Sequence, residues 1–246
     1  MSAGSGRDQA ELQHDPADDD PREILEWACS SIPRLAVATS FQSSGLVILD
    51  LLQDIKPGLP VLFLDTGFHF EETLEFRRRI TELWDLNVVE LRGAHGTPEK
   101  QHEVYGEALY KRDPDLCCSI NKVKPLQDAL ERFDGWISGL RRDQSVQRST
   151  VKISQLQILP SGRVMQKVHP LANWTEKDVQ AHLRRRGIPT HPLLEKGYAS
   201  IGCWPCTRPT AAGEDPRSGR WVGTEKNECG IHTIGASPEA QQVGSQ

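Results

Sequence analysis

Between residues 35 and 139 the chain alternates short apolar runs with amphipathic segments, and this alternation limits the possible folds more than any other feature of the sequence. Apolar runs occur at residues 35–39, 60–64, 87–91 and 135–139. Runs of this kind, separated by helical patterns, predict parallel strands that are buried on both faces. We therefore expect an α/β fold with a mostly parallel twisted sheet and helices on both of its faces.

The remaining segments complete the expected domain plan. Helices are predicted at residues 21–32, 45–53, 70–84, 121–133 and 175–186. Two short strands around a turn are expected between residues 151 and 168. We expect a single domain over residues 21–232, in which residues 190–232 are rich in loops. A disordered acidic tail is expected at residues 1–20 and a flexible C-terminus at residues 233–246.

The net charge of −5 resides in the first 23 residues, which contain seven acidic and two basic side chains. The rest of the chain is neutral overall, so it has no basic field that could hold a nucleic acid. No apolar run approaches the ~20 residues of a membrane-spanning helix, and the N-terminus has no apolar signal-peptide segment. We expect a cytoplasmic protein with reduced thiols and no nucleic-acid or membrane partner.

Polar stretches follow three of the predicted strands, at residues 39–44, 65–69 and 140–144. In open parallel sheets ligands bind beyond the carboxyl ends of the strands, so these stretches are expected to meet at one site. The first stretch leads into a helix whose N-terminal N–H groups favour an anion. Its candidate ligands are the hydroxyls of Ser40, Ser43 and Ser44 and the backbone amides up to Gly45. An ordinary loop with a capping serine is the alternative.

This first loop has the position of the pyrophosphate loop of nucleotide α-hydrolases. Phe41 and Gln42 stand where that loop has two glycines. Because side chains hinder a close approach of the backbone to a triphosphate, the difference favours an anionic group smaller than the phosphates of ATP.

Several basic side chains lie at strand ends or beside cysteines, and these positions favour a functional role. They are Arg141 and Arg142 after the fourth strand, Lys122 and Lys124 after a cysteine pair, and Arg217 and Arg220 in a turn-rich segment. Guanidinium groups bind phosphate or sulfate oxygens through paired hydrogen bonds. A solvated surface charge is the alternative for each of them.

Four cysteines form two close pairs, Cys117-Cys118 and Cys203-x2-Cys206. Adjacent cysteines reach one metal atom only with strain, but they can bind two different irons of a cubane. Four thiolates therefore match a [4Fe–4S] cluster. Buried thiols, a zinc site and a redox dithiol at residues 203 and 206 are the alternatives. Cys29 lies on the first predicted helix, where a small buried side chain is expected.

Cys229 lies in the segment Glu-Cys-Gly-Ile-His at residues 228–232. A free thiol has a pKa of ~8.5 and forms little thiolate at neutral pH. Lys226 or His232 could lower that pKa if the segment folds over an anion site. Gly230 would give the backbone the freedom that an active-site lid requires. An incidental cysteine near a terminus is the alternative.

Taken together, these motifs resemble those of the assimilatory sulfonucleotide reductases, and more narrowly of the iron–sulfur adenosine 5′-phosphosulfate (APS) reductases. The resemblance rests on residues 40–45, 64–67, 117–122, 139–142, 203–206 and 228–232. The segment at residues 228–232 is the most specific of these motifs. The resemblance implies a Rossmann-like fold of the adenine nucleotide α-hydrolase type. It also implies a [4Fe–4S] cluster bound by Cys117, Cys118, Cys203 and Cys206.

The reaction that the resemblance implies is a two-step reduction of APS in sulfate assimilation and cysteine biosynthesis. The Cys229 thiolate attacks the sulfur, AMP leaves, and reduced thioredoxin then releases sulfite from the S-sulfocysteine. The implied catalytic residues are Cys229, His232 and Lys122. The implied substrate ligands are Ser40, Ser43, Ser44, Gly45, Asp65, Thr66, Arg141, Arg217 and Arg220. No thioredoxin-like segment follows His232, so the reductant is expected to be another protein.

Three other functions stay open. Reduction of the 3′-phosphorylated substrate PAPS is the alternative most similar to APS reduction. It stays open because no motif in the sequence indicates directly whether a 3′-phosphate is bound. An ATP pyrophosphatase that adenylates or thiolates tRNA is disfavoured by Phe41, Gln42 and the neutral body of the chain. A zinc-stabilised binding module would not need Cys229. The sequence also leaves open a homo-oligomeric state, and whether a cluster would be redox-active or would only order the loops.

Overall fold

The computed structural model describes residues 20–224, 226 and 228–232, and a six-stranded sheet forms the centre of this part of the chain. The strands are β1 (Leu35–Ala38), β2 (Val61–Asp65), β3 (Val88–Arg92), β4 (Gly135–Ser138), β5 (Ser154–Ile158) and β6 (Val164–Val168). Their order in the sheet is β3-β2-β1-β4-β6-β5. Only β5, which pairs with β6 in a hairpin, runs antiparallel in this sheet. The expected mostly parallel sheet is confirmed, while the expectations for residues 1–19 and 233–246 lie outside the described residues.

Nine α-helical segments surround the described sheet. They are α1 (Pro21–Ser31), α2 (Ser43–Ile55), α3 (Glu71–Leu83), α4 (Pro98–Tyr105), α5 (Leu109–Arg112), α6 (Pro114–Cys118), α7 (Lys124–Leu130), α8 (Glu176–Arg186) and α9 (Pro192–Glu195). The five predicted helices are present, with shifted ends. A π-helical turn at Ser119–Val123 joins α6 to α7, so the helix predicted at residues 121–133 belongs to a longer helical segment.

The helices pack on both faces of the sheet because side chains of successive strand residues point to opposite sides. On one face, Leu35 and Val37 of β1 join the apolar side chains of α1, α2 and α8. On the other face, Ala36 packs with Trp136 of β4 and with α7. This arrangement confirms the predicted class. In the described part of the chain, no helix combines the length and apolar character that crossing a membrane demands.

The strand order places one crevice at the centre of the sheet. Successive strands run outward from β1 to β3, and the chain then returns to place β4 on the other side of β1. The loops after β1 and β4 therefore diverge at a topological switch point, where open α/β sheets bind ligands. The two loops touch, since a Cβ atom at Gly139 would lie 3.1 Å from Cβ of Ser44.

The described residues between 190 and 232 contain little regular structure. Within the described residues of this range, α9 and 3₁₀ turns at Trp204–Cys206 and Gly230–His232 are the helical segments. The segment returns to the carboxyl edge of the sheet, because Trp204 N donates to the Phe68 carbonyl at 2.8 Å. It thereby brings the second cysteine pair toward the loop that follows β2.

Candidate active site

The loop after β1 is shaped by two residues that replace glycines of related loops. Phe41 has a left-handed backbone with φ 56°, and its ring is fully buried 5.8 Å from the ring of Phe63. Gln42 reaches across the site. Its amide donates to the Ile201 carbonyl at 2.8 Å and accepts from Ile201 N at 3.0 Å. The loop is therefore anchored in the core and tied to the segment that carries Cys203.

The three candidate serines lie in this loop and at the start of α2, with different partners. Ser40 is exposed and accepts from Gln42 at 2.8 Å. Ser43 accepts from the Gln180 amide at 3.5 Å. Ser44 is buried and accepts from Arg141. Gly45 has no room for a side chain, because a Cβ atom there would lie 2.0 Å from Oγ1 of Thr39.

Arg141 is buried and links three elements rather than facing open solvent. Its guanidinium binds Asp143 at 3.0 Å and Glu176 at 2.7 Å, in addition to Ser44. Its charge is thus matched by two carboxylates. This position makes Arg141 an organiser of the serine loop, and an anion would compete there with acidic partners.

In the loop after β2, the neighbouring residues Asp65 and Thr66 lie in different environments. The Asp65 carboxylate accepts from Gly67 N at 3.0 Å and pairs with Arg92 at 3.0 Å. Thr66 is buried, and its hydroxyl lies 3.4 Å from Sγ of Cys203. Asp65 therefore stands on the half-exposed side of the loop, whereas Thr66 belongs to the cysteine cluster.

The four paired cysteines line one cavity between the helix that starts at α6 and the loop of residues 203–206. The cavity has about 320 Å³ of empty space, counting the part open to solvent, and its lining includes Thr66, Asn121, Lys122 and Trp221. Asn121 and Lys122 follow Cys117 and Cys118 by four positions each. In a helical segment this spacing places all four side chains on one side.

Hydrogen-bond donors surround the cavity sulfurs. Gln101 and Asn121 donate to Sγ of Cys117 at 3.7 and 3.6 Å. Burial raises the pKa of Cys117, and it raises the pKa of Cys206 to about 11. Such thiols lose their protons and become thiolate ligands only when a positive centre nearby compensates the negative charge. Within the described residues, no three His, Cys, Asp or Glu side chains converge in a way that could hold a single metal ion.

Cys229 lies buried beside this cavity. The neighbouring Cys118 thiol lowers the pKa of Cys229, as do the positive charges of Lys122 and Arg220. Burial alone would lower the pKa of Lys122, but the charges of Cys203, Cys229 and Cys118 raise it. Lys122 therefore stays cationic between the two groups of thiols.

The two predicted C-terminal arginines, Arg217 and Arg220, both lie near the ring of Trp221. The guanidinium of Arg220 lies 4.5 Å from the Trp221 ring centre and that of Arg217 lies 5.7 Å from it. Arg220 also passes over Gly202, where a Cβ atom would lie 2.1 Å from Nη2. Burial lowers the pKa of Arg217 to about 10 even though Glu228 opposes the shift. Cationic groups held in a dry setting of this kind favour an anionic ligand.

His232 completes the predicted set, and its surroundings were not foreseen. Its Nδ1 is buried and has no hydrogen-bond partner among the residues that the structure describes. Burial, with the charges of Arg148 and Lys167, holds the pKa of His232 well below its usual range. Sequence reasoning missed Arg148 and Lys167, and Arg148 lies beyond the stretch at residues 140–144 that was expected to form the site.

Comparison with known proteins identifies the family of this chain. Residues 34–209 match the family model of the phosphoadenosine phosphosulfate reductase domain. The chain belongs to the sulfonucleotide reductase family. It is similar to the adenosine 5′-phosphosulfate reductase of Streptomyces coelicolor, with 43% identity over 211 residues that cover 85% of this chain and 87% of the relative.

Reductases that are named for the 3′-phosphorylated substrate are similar to this chain as well. The phosphoadenosine 5′-phosphosulfate reductase of Gloeobacter violaceus is 41% identical over 233 residues, which cover 92% of this chain and 95% of the relative. The crystal structure of phosphoadenylyl-sulfate reductase from Candida auris, a phosphate complex, is 27% identical with a TM-score of 0.71. The match covers 84% of this chain and all of that one (100%). The expected fold type and family are confirmed.

Proposed function

We propose that this protein reduces APS to sulfite and AMP in sulfate assimilation, with Cys229 as the nucleophile. The observation that carries the proposal is the position of Cys229, which lies against Cys118 and Lys122 and next to Arg220. An APS molecule brings sulfate and phosphate oxygens, which the cationic groups would bind. The same charges stabilise negative charge as it develops on the leaving AMP.

The reaction balances as a thiol exchange. In the first step a bond forms between Sγ of Cys229 and the substrate sulfur, and the bond from that sulfur to the AMP phosphate oxygen breaks. In the second step a thiolate of reduced thioredoxin attacks Sγ of Cys229, and sulfite leaves with the electron pair. The second thioredoxin thiol then resolves the mixed disulfide, so the dithiol supplies both electrons. All six cysteines lie in the described residues and none of them is in a disulfide, so the Cys229 thiol is available for this chemistry.

The nucleophile is tested by Cys229→Ser with Cys29→Ser as the matched control. Cys29 lies on α1, and Lys56 binds its backbone carbonyl rather than its thiol. We expect Cys229→Ser to bind APS and to release no sulfite, and Cys29→Ser to keep its turnover. Sulfite release by Cys229→Ser with thioredoxin would reject Cys229 as the nucleophile.

The substrate is tested by measuring sulfite release from APS and from PAPS with reduced thioredoxin. Relatives named for each substrate have similar identity to this chain, so the comparison of kcat/KM values decides between them. We expect APS to be preferred. A preference for PAPS would assign the 3′-phosphorylated substrate, and inactivity with both would reject sulfonucleotide reduction.

We further propose that Cys117, Cys118, Cys203 and Cys206 bind a [4Fe–4S] cluster. Support comes from the single cavity that all four line, from the amide donor beside Cys117 and from the Thr66 hydroxyl that lies 3.4 Å from Sγ of Cys203. When bound, a cluster would join α6 to the loop of residues 203–206 and set the charge near Lys122. Anaerobically purified protein should contain about four iron and four sulfide per chain. Zinc in active, iron-free protein would reject the cluster.

A further inference from the structure

The carboxylate of Glu228 is held between two arginines beside the proposed nucleophile. Arg148 binds it through two hydrogen bonds of 2.7 Å each, one from Nε and one from Nη2. Arg217 adds a third at 3.1 Å. Arg148 is 7% exposed, and Glu228 is largely buried as well. A buried bidentate pair of this kind is strong, and removal of one partner leaves the other charge without compensation.

The segment of residues 228–232 is fixed at both of its ends. At the first end, the Glu228 carboxylate accepts from N of Cys229 at 2.8 Å, so it also orients the backbone of the nucleophile. At the last end, Nζ of Lys167 donates to the His232 carbonyl at 3.2 Å. Lys167 is 1% exposed, and its ammonium lies 4.8 Å from the Trp136 ring centre.

Both anchors belong to the sheet and its loops, and neither lines the cysteine cavity. Arg148 ends the 3₁₀ turn Val146–Arg148 that follows β4, and Lys167 lies in β6. Ile231 packs against the apolar core on the same face. These contacts at the two ends of the segment are separate from the proposed cluster, whereas Cys229 between them lies against Cys118.

We propose that Arg148 and Lys167 are positioning residues that hold residues 228–232 closed over the site, with Glu228 as the releasable contact. This rests on the proposed role of Cys229. In the closed position Cys229 is 8% exposed, so a protein thiol cannot reach its sulfur. The Glu228–Arg148 pair therefore has to open between sulfonate transfer and reduction. The surface that opening exposes is the one that a dithiol protein would contact.

The test uses Arg148→Lys and Glu228→Asp, which both keep the charge but lose the bidentate geometry. The holoenzyme, purified anaerobically and without substrate, is treated with iodoacetamide, and alkylation of Cys229 is followed by peptide mass spectrometry. Loss of one charge-assisted bond should raise the alkylation rate about tenfold and lower kcat for sulfite release, with little change in KM. Arg163→Lys is the matched control, because Arg163 binds Asp134 at 2.7 Å in the β5–β6 hairpin region.

The double variant Arg148→Lys/Glu228→Asp should alkylate no faster than either single variant, because all three lack the same contact. If Arg148→Lys loses iron or fails to fold, Glu228→Asp alone decides. Unchanged alkylation of Cys229 would overturn the proposal, as would a raised KM with unchanged kcat, which would make Arg148 a substrate ligand. The alkylation rate needs no turnover, so failure of this proposal is distinguishable from failure of the proposed reaction.

Discussion

Phe41 combines a backbone conformation that favours glycine with a side chain that is fully buried. A non-glycine residue in the left-handed region costs about 1–2 kcal/mol. Burial of the ring against Phe63 offsets this cost. The residue that distinguishes this loop from triphosphate-binding loops is therefore also part of the core, and the sequence indicated only the first of these two roles.

Replacement of Phe41 separates the two effects. Phe41→Ala should lower the free energy of unfolding by about 3–5 kcal/mol, because it removes the ring and keeps a Cβ atom. Phe41→Gly should be more stable than Phe41→Ala by about 1 kcal/mol, because glycine adopts the same φ without that cost. Urea denaturation of both variants measures the difference. If Phe41→Gly is the less stable variant, the left-handed backbone carries no cost.

Lys167 provides a pH-dependent contribution to stability. Burial and the charge of Arg148 lower its pKa from 10.5 to about 8, with Glu228 opposing. Between these two values the unfolded chain binds more protons than the folded one, so the free energy of unfolding rises with pH. The cost of the buried charge is fully present below pH 8.

Comparison with Lys167→Met isolates this contribution. From pH 8 to pH 10.5, the free energy of unfolding of the wild type should rise relative to that of the variant, by up to about 3 kcal/mol. Chemical denaturation of the two proteins at both pH values gives the difference. A difference that is independent of pH would contradict the shifted pKa.

At the scale of elements, local patterns in the sequence predicted the strands and the longer helices. Helices α4 to α6 were missed because each has eight residues or fewer, which is too short for a periodic pattern. The contacts between loops were missed for another reason. Gln42 with Ile201, and Arg148 with Glu228, are far apart in sequence, and single residues in loops leave no pattern that pairs them.

Gly202 shows how one loop positions a side chain of another. A Cβ atom at this position would meet the guanidinium of Arg220, which is the mobile end of a long side chain. Gly202→Ala should therefore change the melting temperature little, but displace Arg220 from the site. We expect KM for APS to rise about tenfold, the loss of one charge-assisted contact.

Steady-state kinetics and thermal melting of Gly202→Ala, Arg220→Ala and the double variant check this account. Because both changes act on the same guanidinium, the double variant should have the KM of Arg220→Ala. Additive effects would show that Gly202 acts through another contact. A large loss of stability in Gly202→Ala would show that Arg220 cannot move aside.

At the scale of the whole molecule, the sheet and the C-terminal loops are held by different interactions. The sheet has two apolar cores and ladders of backbone hydrogen bonds. Residues 197–224 have little regular structure and few buried apolar side chains, and they reach the sheet through single contacts such as Gln42–Ile201. A segment of this kind needs an additional interaction to hold it in one conformation. The proposed cluster supplies one through its bonds to Cys203 and Cys206.

Removal of iron should therefore loosen one region and leave the other intact. After anaerobic chelation, trypsin should cut at Arg217 and Arg220 at least about tenfold faster, because metal-binding free energy is also free energy of local folding. Cleavage at Arg77 of α3 and at Lys167 of β6 should stay slow and serve as the internal control. Equal acceleration at all sites would mean that the metal stabilises the whole fold. Unchanged cleavage at these two arginines would mean that apolar contacts such as that of Trp221 order the loops without iron.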